Sequence, residues 1–336
     1  MKNFFSRYKY ILGIIVSIVF LYLALKDVDY PKLLLYFGSE NIDMVLYVFL
    51  VNIVLRFIIA LRWHKMLNIF PSNRLITTFH YTNIGYFANN FLPARLGDII
   101  KSYLLAKKYN YNKTQVFTSA VIERIFDLLG LSVLFIIAVL RYEIPQDILN
   151  GGLIFIGILF AASIVVILIL KKSDSIDLKL QSNSKYKWVN FIKDKLDTIL
   201  RYLKKYLNFK DLSYLIITTA FIWFFYVLAG SIIIERLGGY RSWDASILSL
   251  IFLGISFVLP STPGNVGVHQ FACVLAFAIL GMDKTEAVAF SFYYQIPVII
   301  ISIVLGLVSI YYEGFSVKGI SEASKEVKTE GSNEVG

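Results

Sequence analysis

The chain has 336 residues, of which 57% are apolar and only 17% charged, and it carries a formal net charge of +10. With a mean hydropathy of +0.66 and apolar runs of membrane-spanning length, it cannot be a water-soluble domain and is expected to be an integral membrane protein. The single cysteine, Cys273, excludes an intramolecular disulfide and sits in an apolar run as a small core hydrophobe.

The first apolar run, Tyr10–Leu25, follows Lys2, Arg7 and Lys9. No small-residue cleavage site follows it, so it is expected to be a retained first span. Asp43–Leu61 reads as a second span and carries Asn52 and Arg56. Leu75–Asn112 is too broken for a span: two short pieces meet at Leu92-Pro93-Ala94-Arg95-Leu96-Gly97, where proline removes a donor and glycine loosens the backbone. Val116–Leu140 and Gly152–Leu170 read as the next two spans. Between Lys171 and Lys210 lie eleven Lys/Arg (171, 172, 179, 185, 187, 193, 195, 201, 204, 205, 210) against four Asp (174, 177, 194, 197). Such a loop belongs on the cytoplasmic side. Within it, Trp188, Ile192, Leu196, Ile199, Leu203 and Tyr206 recur at helical steps and predict a basic amphipathic helix on the lipid surface. Leu212–Ile234 reads as a fifth span. Trp243–Gly281 is a second broken pair, joined at Leu259-Pro260-Ser261-Thr262-Pro263-Gly264, and Ala287–Tyr311 reads as a sixth span. The tail, 316–336, is rich in Ser, Glu, Lys and Gly and is expected to be disordered.

These elements predict an all-α polytopic membrane protein with six full spans and two re-entrant helical hairpins, since broken backbone survives in hydrocarbon only when buried in protein or facing water. The charge flanks place both termini in the cytoplasm and Lys26–Asp43, Arg141–Asp147 and Glu235–Asp244 outside. The transmembrane domain is expected over residues 1–315. Pro-x3-Gly recurs as Pro93…Gly97 and Pro260…Gly264, and Lys113-Thr114-Gln115 resembles Lys284-Thr285-Glu286, with the spacing four residues longer in the second copy. Two units, Asp43–Leu140 and Leu212–Tyr311, each read span, broken pair, span. They enter from opposite sides, as in an inverted-topology repeat whose discontinuous segments meet near the midplane.

Charges at membrane depth cost roughly 2.5–3.5 kcal/mol each on insertion scales and mark candidate function. They are Arg56, Arg95, Asp98, Glu123, Arg124 and Asp127. Glu123 and Asp127 share a helical face and would need a cation between them, for which Arg95 or Arg56 is the expected source. An internal salt-bridge cluster is the plainer role for Glu123, Arg124 and Asp127. Arg95, Gly97 and Asp98 at a broken tip form an anion site suited to phosphate. At the second break Gly264, Asn265, His269 and Gln270 offer amides and polar side chains, although a lone histidine is more often a packing residue. Asn52 and the Tyr293-Tyr294-Gln295 run are weaker candidates. His64, His80 and His269 lack metal-ligand spacing, and the sequence carries no nucleotide or nucleophile motif, so neither cofactor, metal nor catalysis is expected.

Leu92-Pro93-Ala94-Arg95-Leu96-Gly97-Asp98, followed by Glu123-Arg124-Ile125-Phe126-Asp127, resembles the signature of the lysylphosphatidylglycerol synthase transmembrane, or flippase-like, family, and Pro263-Gly264-Asn265-Val266-Gly267-Val268-His269-Gln270 resembles its second motif. The likeness runs from the first span to Tyr311. Asp98 stands where the family has Glu, Asn265 where it has Gly, and Gln270 where it has Glu. The resemblance implies moving a lipid headgroup between leaflets of the plasma membrane, without the synthase domain. The expected function is therefore a translocase for a phosphate-bearing, glycosylated or aminoacylated lipid, with a membrane-embedded lipid-modifying transferase as the alternative. Anionic or phosphate-bearing membrane lipids are the expected partners and nucleic acid is not; a homo-oligomer is compatible with this reading.

Overall fold

The structure, a computed structural model, describes residues 2–38, 41–70, 72–92, 96–143, 146, 149–154, 157, 198–199, 202, 208–256 and 262–333. Regular structure among them is helical: α1 (Lys2–Leu25), α2 (Tyr30–Tyr36), α3 (Ile42–Met66), α4 (Leu75–Phe91), α5 (Gly97–Tyr109), α6 (Lys113–Arg141), α7 (Phe209–Gly238), α8 (Trp243–Ser256), α9 (Val268–Ile279), α10 (Lys284–Tyr312) and α11 (Val317–Asn333). A short 3-10 turn, Pro263–Asn265, precedes α9.

Among the described residues three helices, α3, α7 and α10, are long and apolar enough to cross a bilayer. Their 25, 30 and 29 residues rise about 1.5 Å each, more than the roughly 30 Å of hydrocarbon. α6 matches them in length at 29 residues but carries Glu123, Arg124 and Asp127. The pattern on α3 shows what holds it: Met44, Val48, Val51, Leu55 and Ile59 are buried, whereas Leu46, Leu50, Ile53 and Phe57 stay exposed. Those are two stripes of 3- and 4-residue steps, one toward the protein and one toward lipid. The expected span Gly152–Leu170 and the amphipathic stretch Lys185–Phe209 fall almost entirely outside the described residues.

Both expected breaks are present. α4 ends at Phe91 and α5 starts at Gly97; α8 is described as far as Ser256, and α9 starts at Val268 after a 3-10 turn. The four helices around them have 17, 13, 14 and 12 residues, about 18–26 Å at the same rise, so none spans the hydrocarbon alone. At the second break Gly264–Gly267 form a turn in which Gly264, Asn265 and Gly267 all have positive φ (79°, 56° and 87°). A Cβ on Gly267 would lie 2.0 Å from the Ser17 carbonyl oxygen, so α1 packs directly on this turn. At the first break a Cβ on Gly97 would lie 2.0 Å from the Gly85 carbonyl oxygen, and glycine there lets α4 and α5 close on each other.

Two segments depart from expectation. The connection after α1 contains the helix α2, started by Asp29, whose carboxylate accepts from the Lys32 amide at 3.1 Å, and by Pro31 in the first turn. The tail expected to be disordered instead forms α11 against α5. Ile320 and Ala323 are buried on one face, and Glu326 accepts from Lys107 Nζ at 2.7 Å and from the Tyr103 hydroxyl at 2.8 Å. Composition pointed to disorder because an isolated polar helix is unstable; a docking surface on α5 changes that.

The apolar interior falls into two main clusters, one around α8 and α9, the other around α4, α5 and α11. Along α3 the first cluster ends at Ile59 and the second begins at Trp63; along α7 they are separated between Leu215 and Ile222, and along α10 between Tyr294 and Ile310. Arg62, Thr219 and Ser302 lie in these intervals, so a polar layer crosses the interior where the two clusters meet. Cys273 is buried in the first cluster, as a core hydrophobe should be.

Candidate functional site: an ion network between α3, α5 and α6

Three helices each contribute charge to this layer. Glu123 on α6 accepts a hydrogen bond from Lys101 Nζ on α5 at 2.6 Å and lies 3.6 Å from Arg62 on α3. All three side chains are nearly inaccessible: 2%, 3% and 1% exposed. Arg62 also donates to Asp127 at 2.6 Å and to the Thr219 hydroxyl of α7 at 3.0 Å. Asp98, in the first turn of α5, receives both Nε and NH2 of Arg124 at 2.7 and 2.8 Å, the bidentate geometry that guanidinium and carboxylate favour. Arg124 closes the ring to Asp127 at 3.1 Å, and Lys101 lies 3.4 Å from Asp98.

Three cations and three carboxylates therefore form one neutral network with two environments. Arg62, Lys101 and Glu123 are dry, whereas Asp98, Asp127 and Arg124 are 25%, 26% and 44% exposed. Ion pairs taken out of water persist only with good geometry and further hydrogen bonds, which the inner trio has. Trp63 supports it: its ring lies 4.3 Å from Lys101 Nζ, and its Nε1 donates to Ser119 Oγ at 2.9 Å. The outer trio forms an open lip where a charged group from outside could exchange with an internal partner.

The cation between Glu123 and Asp127 is thus Arg62, not Arg56. Arg62 lies one residue past the expected span Asp43–Leu61, and Lys101 lies three residues after Asp98, on its side of the helix. Thr219 and Ser302 gave no signal, because a hydroxyl in an apolar run has no period. Arg56 is 3% exposed and stands apart from the ring: its guanidinium carbon sits 3.3 Å from the Tyr86 ring centroid, and NH2 donates to Ser302 Oγ at 2.5 Å. Arg95 lies outside the described residues. Gly97 donates its amide to Asn89 Oδ1 at 2.8 Å.

At the second break the polar groups are engaged with one another. Gln270 Oε1 accepts from the Gly267 amide at 2.7 Å and its Nε2 donates to Gln295 Oε1 at 2.7 Å; Gln295 Nε2 then donates to the Gly264 carbonyl at 2.6 Å. This closed chain of amides pins the turn to α10. It uses a glutamine for a reason: a carboxylate at position 270 could accept from Gly267 but could not donate to Gln295. Asn265 is held in the left-handed region, and His269 is buried with its ring 6.4 Å from that of Tyr294.

Long apolar helices around a charged interior define an all-helical integral membrane protein. The family model for the lysylphosphatidylglycerol synthase TM region matches residues 10–306, and the chain belongs to that family. It is 29% identical over 231 residues to a UPF0104 membrane protein of Methanocaldococcus jannaschii, covering 67% of this chain and 93% of that relative. No solved structure matches.

Proposed function

We propose that the chain carries the polar headgroup of a phosphate-bearing lipid between the leaflets of the plasma membrane while the acyl tails remain in lipid. The observation that carries this reading is the neutral ion network with a dry core and an open lip, set beside a helix break in a protein of lipid-facing apolar helices. A headgroup phosphate entering the lip displaces Asp98 or Asp127 from Arg124, and the freed carboxylate turns to Lys101 or Arg62. Each displaced carboxylate finds another cation and the phosphate is paired with a guanidinium, so the network carries only the headgroup's own charge, and no group is left bare in hydrocarbon. Gly97 and Asp98 at the first break and Gly264, Asn265, His269 and Gln270 at the second are the further groups assigned to this path.

The repeated helix order supports a pseudo-twofold pair of units, α3–α6 and α7–α10. Each contact within the first unit has a counterpart in the second: α3 with α4 and α7 with α8, α5 with α6 and α9 with α10, and across the units α4 with α10 and α8 with α6. The resemblance of Lys113-Thr114-Gln115 to Lys284-Thr285-Glu286 also has a physical basis. In both places a left-handed residue (Asn110, Gly281) is followed two positions later by a side-chain cap, Asn112 accepting from Gln115 N and Asp283 from Glu286 N. The charge flanks support opposite entry of the two units, with both termini cytoplasmic. On this reading the two broken pairs are re-entrant.

The test is leaflet exchange in proteoliposomes of phosphatidylcholine and phosphatidylglycerol with a trace of fluorophore-labelled phosphatidylglycerol, quenched from outside by dithionite. The wild-type protein exposes the inner-leaflet label, taking quenching well beyond the outer half. Arg124→Gln, folded by its thermal transition, slows this at least tenfold. Quenching that halts at the outer leaflet with wild-type protein contradicts the proposal.

A further inference from the structure

Arg56 is the one intramembrane cation of the polar layer, among the described residues, without a carboxylate at ion-pair distance. Its NH2 is taken by Ser302 and its face by Tyr86, but NH1 is fully buried with no hydrogen-bond partner. The ring of Arg62, Lys101, Arg124, Asp98, Glu123 and Asp127 is internally neutral. Adding Arg56 leaves the interior one positive charge in excess. A guanidinium is permanently protonated and presents its donors in a fixed fork, so this charge cannot be relieved by losing a proton.

Arg56 is also placed for a ligand. It lies on the same helix as Arg62, six residues or about 9 Å nearer the middle of α3. Tyr86 and Tyr226 are within electrostatic range of both Arg56 and the Arg124–Asp127 side of the ring. Helices α3, α4, α7 and α10 converge there, joining the two units.

We infer that Arg56 is a mid-membrane binding site for a singly charged oxyanion of the phosphodiester class, completing the charge that the protein leaves open. Arg124 at the lip holds the phosphate only in exchange for a carboxylate; Arg56, with no carboxylate to displace, holds it outright. This deepens the translocation reading and rests on it for the route of the ligand, whereas binding itself needs no leaflets.

The test is binding to the purified full-length protein in uncharged detergent, measured by calorimetry. The probes are dioctanoyl phosphatidylglycerol, dioctanoylglycerol, which has no phosphate, and inorganic phosphate. Wild-type protein binds the phospholipid saturably and the diacylglycerol at least tenfold more weakly; Arg56→Gln loses the difference. Because removing Arg56 could unfold the protein, Ser302→Asp is the second variant. It places a carboxylate against the guanidinium, pairs it internally and is expected to fold at least as well while losing phospholipid binding. Competition by inorganic phosphate assigns the site to the anion alone; its failure to compete assigns it to the lipid-borne phosphate. Binding by folded Ser302→Asp or Arg56→Gln equal to wild type, or equal binding of the two lipids, overturns the inference. Leaflet exchange that persists in those variants leaves the translocation reading standing without this site, and binding without exchange leaves the site standing without translocation.

Discussion

Lys101 and Glu123 show how strongly single side chains are committed here. Each is almost inaccessible and each is the other's shortest ionic contact. Lys101→Leu strands Glu123 with only the 3.6 Å contact to Arg62, and removing one partner of a buried pair costs about 3–5 kcal/mol. The double variant Lys101→Leu/Glu123→Leu removes both charges and leaves Arg62 on Asp127 and Asp98 on Arg124, so most of that loss should return. Denaturant unfolding in detergent of the two singles and the double checks this; a double variant as unstable as the sum of its singles would contradict the pairing. Much of this was legible as charge in the wrong place: Asp98, Glu123, Arg124 and Asp127 stand out in an apolar chain. Which cation meets which carboxylate was not, because Arg62 sits near the end of α3, where a cation ordinarily reaches headgroups, and Lys101 beside the break carries no mark of its partner. Their burial depends on how α3, α5 and α6 pack.

At the scale of elements, the two breaks were readable because proline and glycine act locally, whereas α2 and α11 needed partners that lie far along the chain. The turn before α9 illustrates the first kind. Gly267 combines φ of +87° with a carbonyl 2.0 Å from where a Cβ would stand, while Gly281 has φ of +65° and open space. Gly267→Ala is expected to displace α1 from the turn at a cost above the roughly 1–2 kcal/mol of left-handed backbone alone, and Gly281→Ala to cost only that backbone term. Equal shifts in the thermal transition would argue against direct α1 contact. α11 illustrates the second kind. The hydrogen bond from Lys107 holds the Glu326 carboxyl below its ordinary range, and the same bond raises Lys107. A carboxylate with a lowered folded pKa contributes above its unfolded value, near 4.3, and loses that contribution as pH falls through the folded value; the raised Lys107 contributes below 10.5 and loses it as pH rises further. Docking of α11 should therefore hold across neutral pH and loosen in acid. Hydrogen exchange of α11, taken as protection relative to the unstructured chain at the same pH, reads it: lower protection below pH 4 and, in Glu326→Gln, at pH 7 as well.

For the whole molecule, the two proline-glycine breaks and the repeated caps at Asn112 and Asp283 were legible because they are local chemistry. The joining of the units through Arg56, Arg62, Thr219 and Ser302 was hidden, because it depends on contacts between residues 157 or more positions apart, as in Arg62 with Thr219. Opposite orientation of the units makes a direct prediction. In a Cys273→Ala background, a cysteine at Asn110 and one at Gly281, equivalent turns, should react with a membrane-impermeant maleimide from opposite sides of the cell membrane, Gly281 from outside. Labelling of both from one side would mean the units are parallel.

The account depends most on the breaks lying inside the bilayer rather than at its surface. Phe91 and Val266 flank them and are 54% and 40% exposed, so spin labels there report what surrounds each break. In lipid nanodiscs, collision rates with oxygen and with a water-soluble nickel chelate should show both labels rich in oxygen and shielded from nickel, at depths well below the headgroups. Free access of nickel to both labels would put the breaks in water, and with them the charged layer that the proposed function requires.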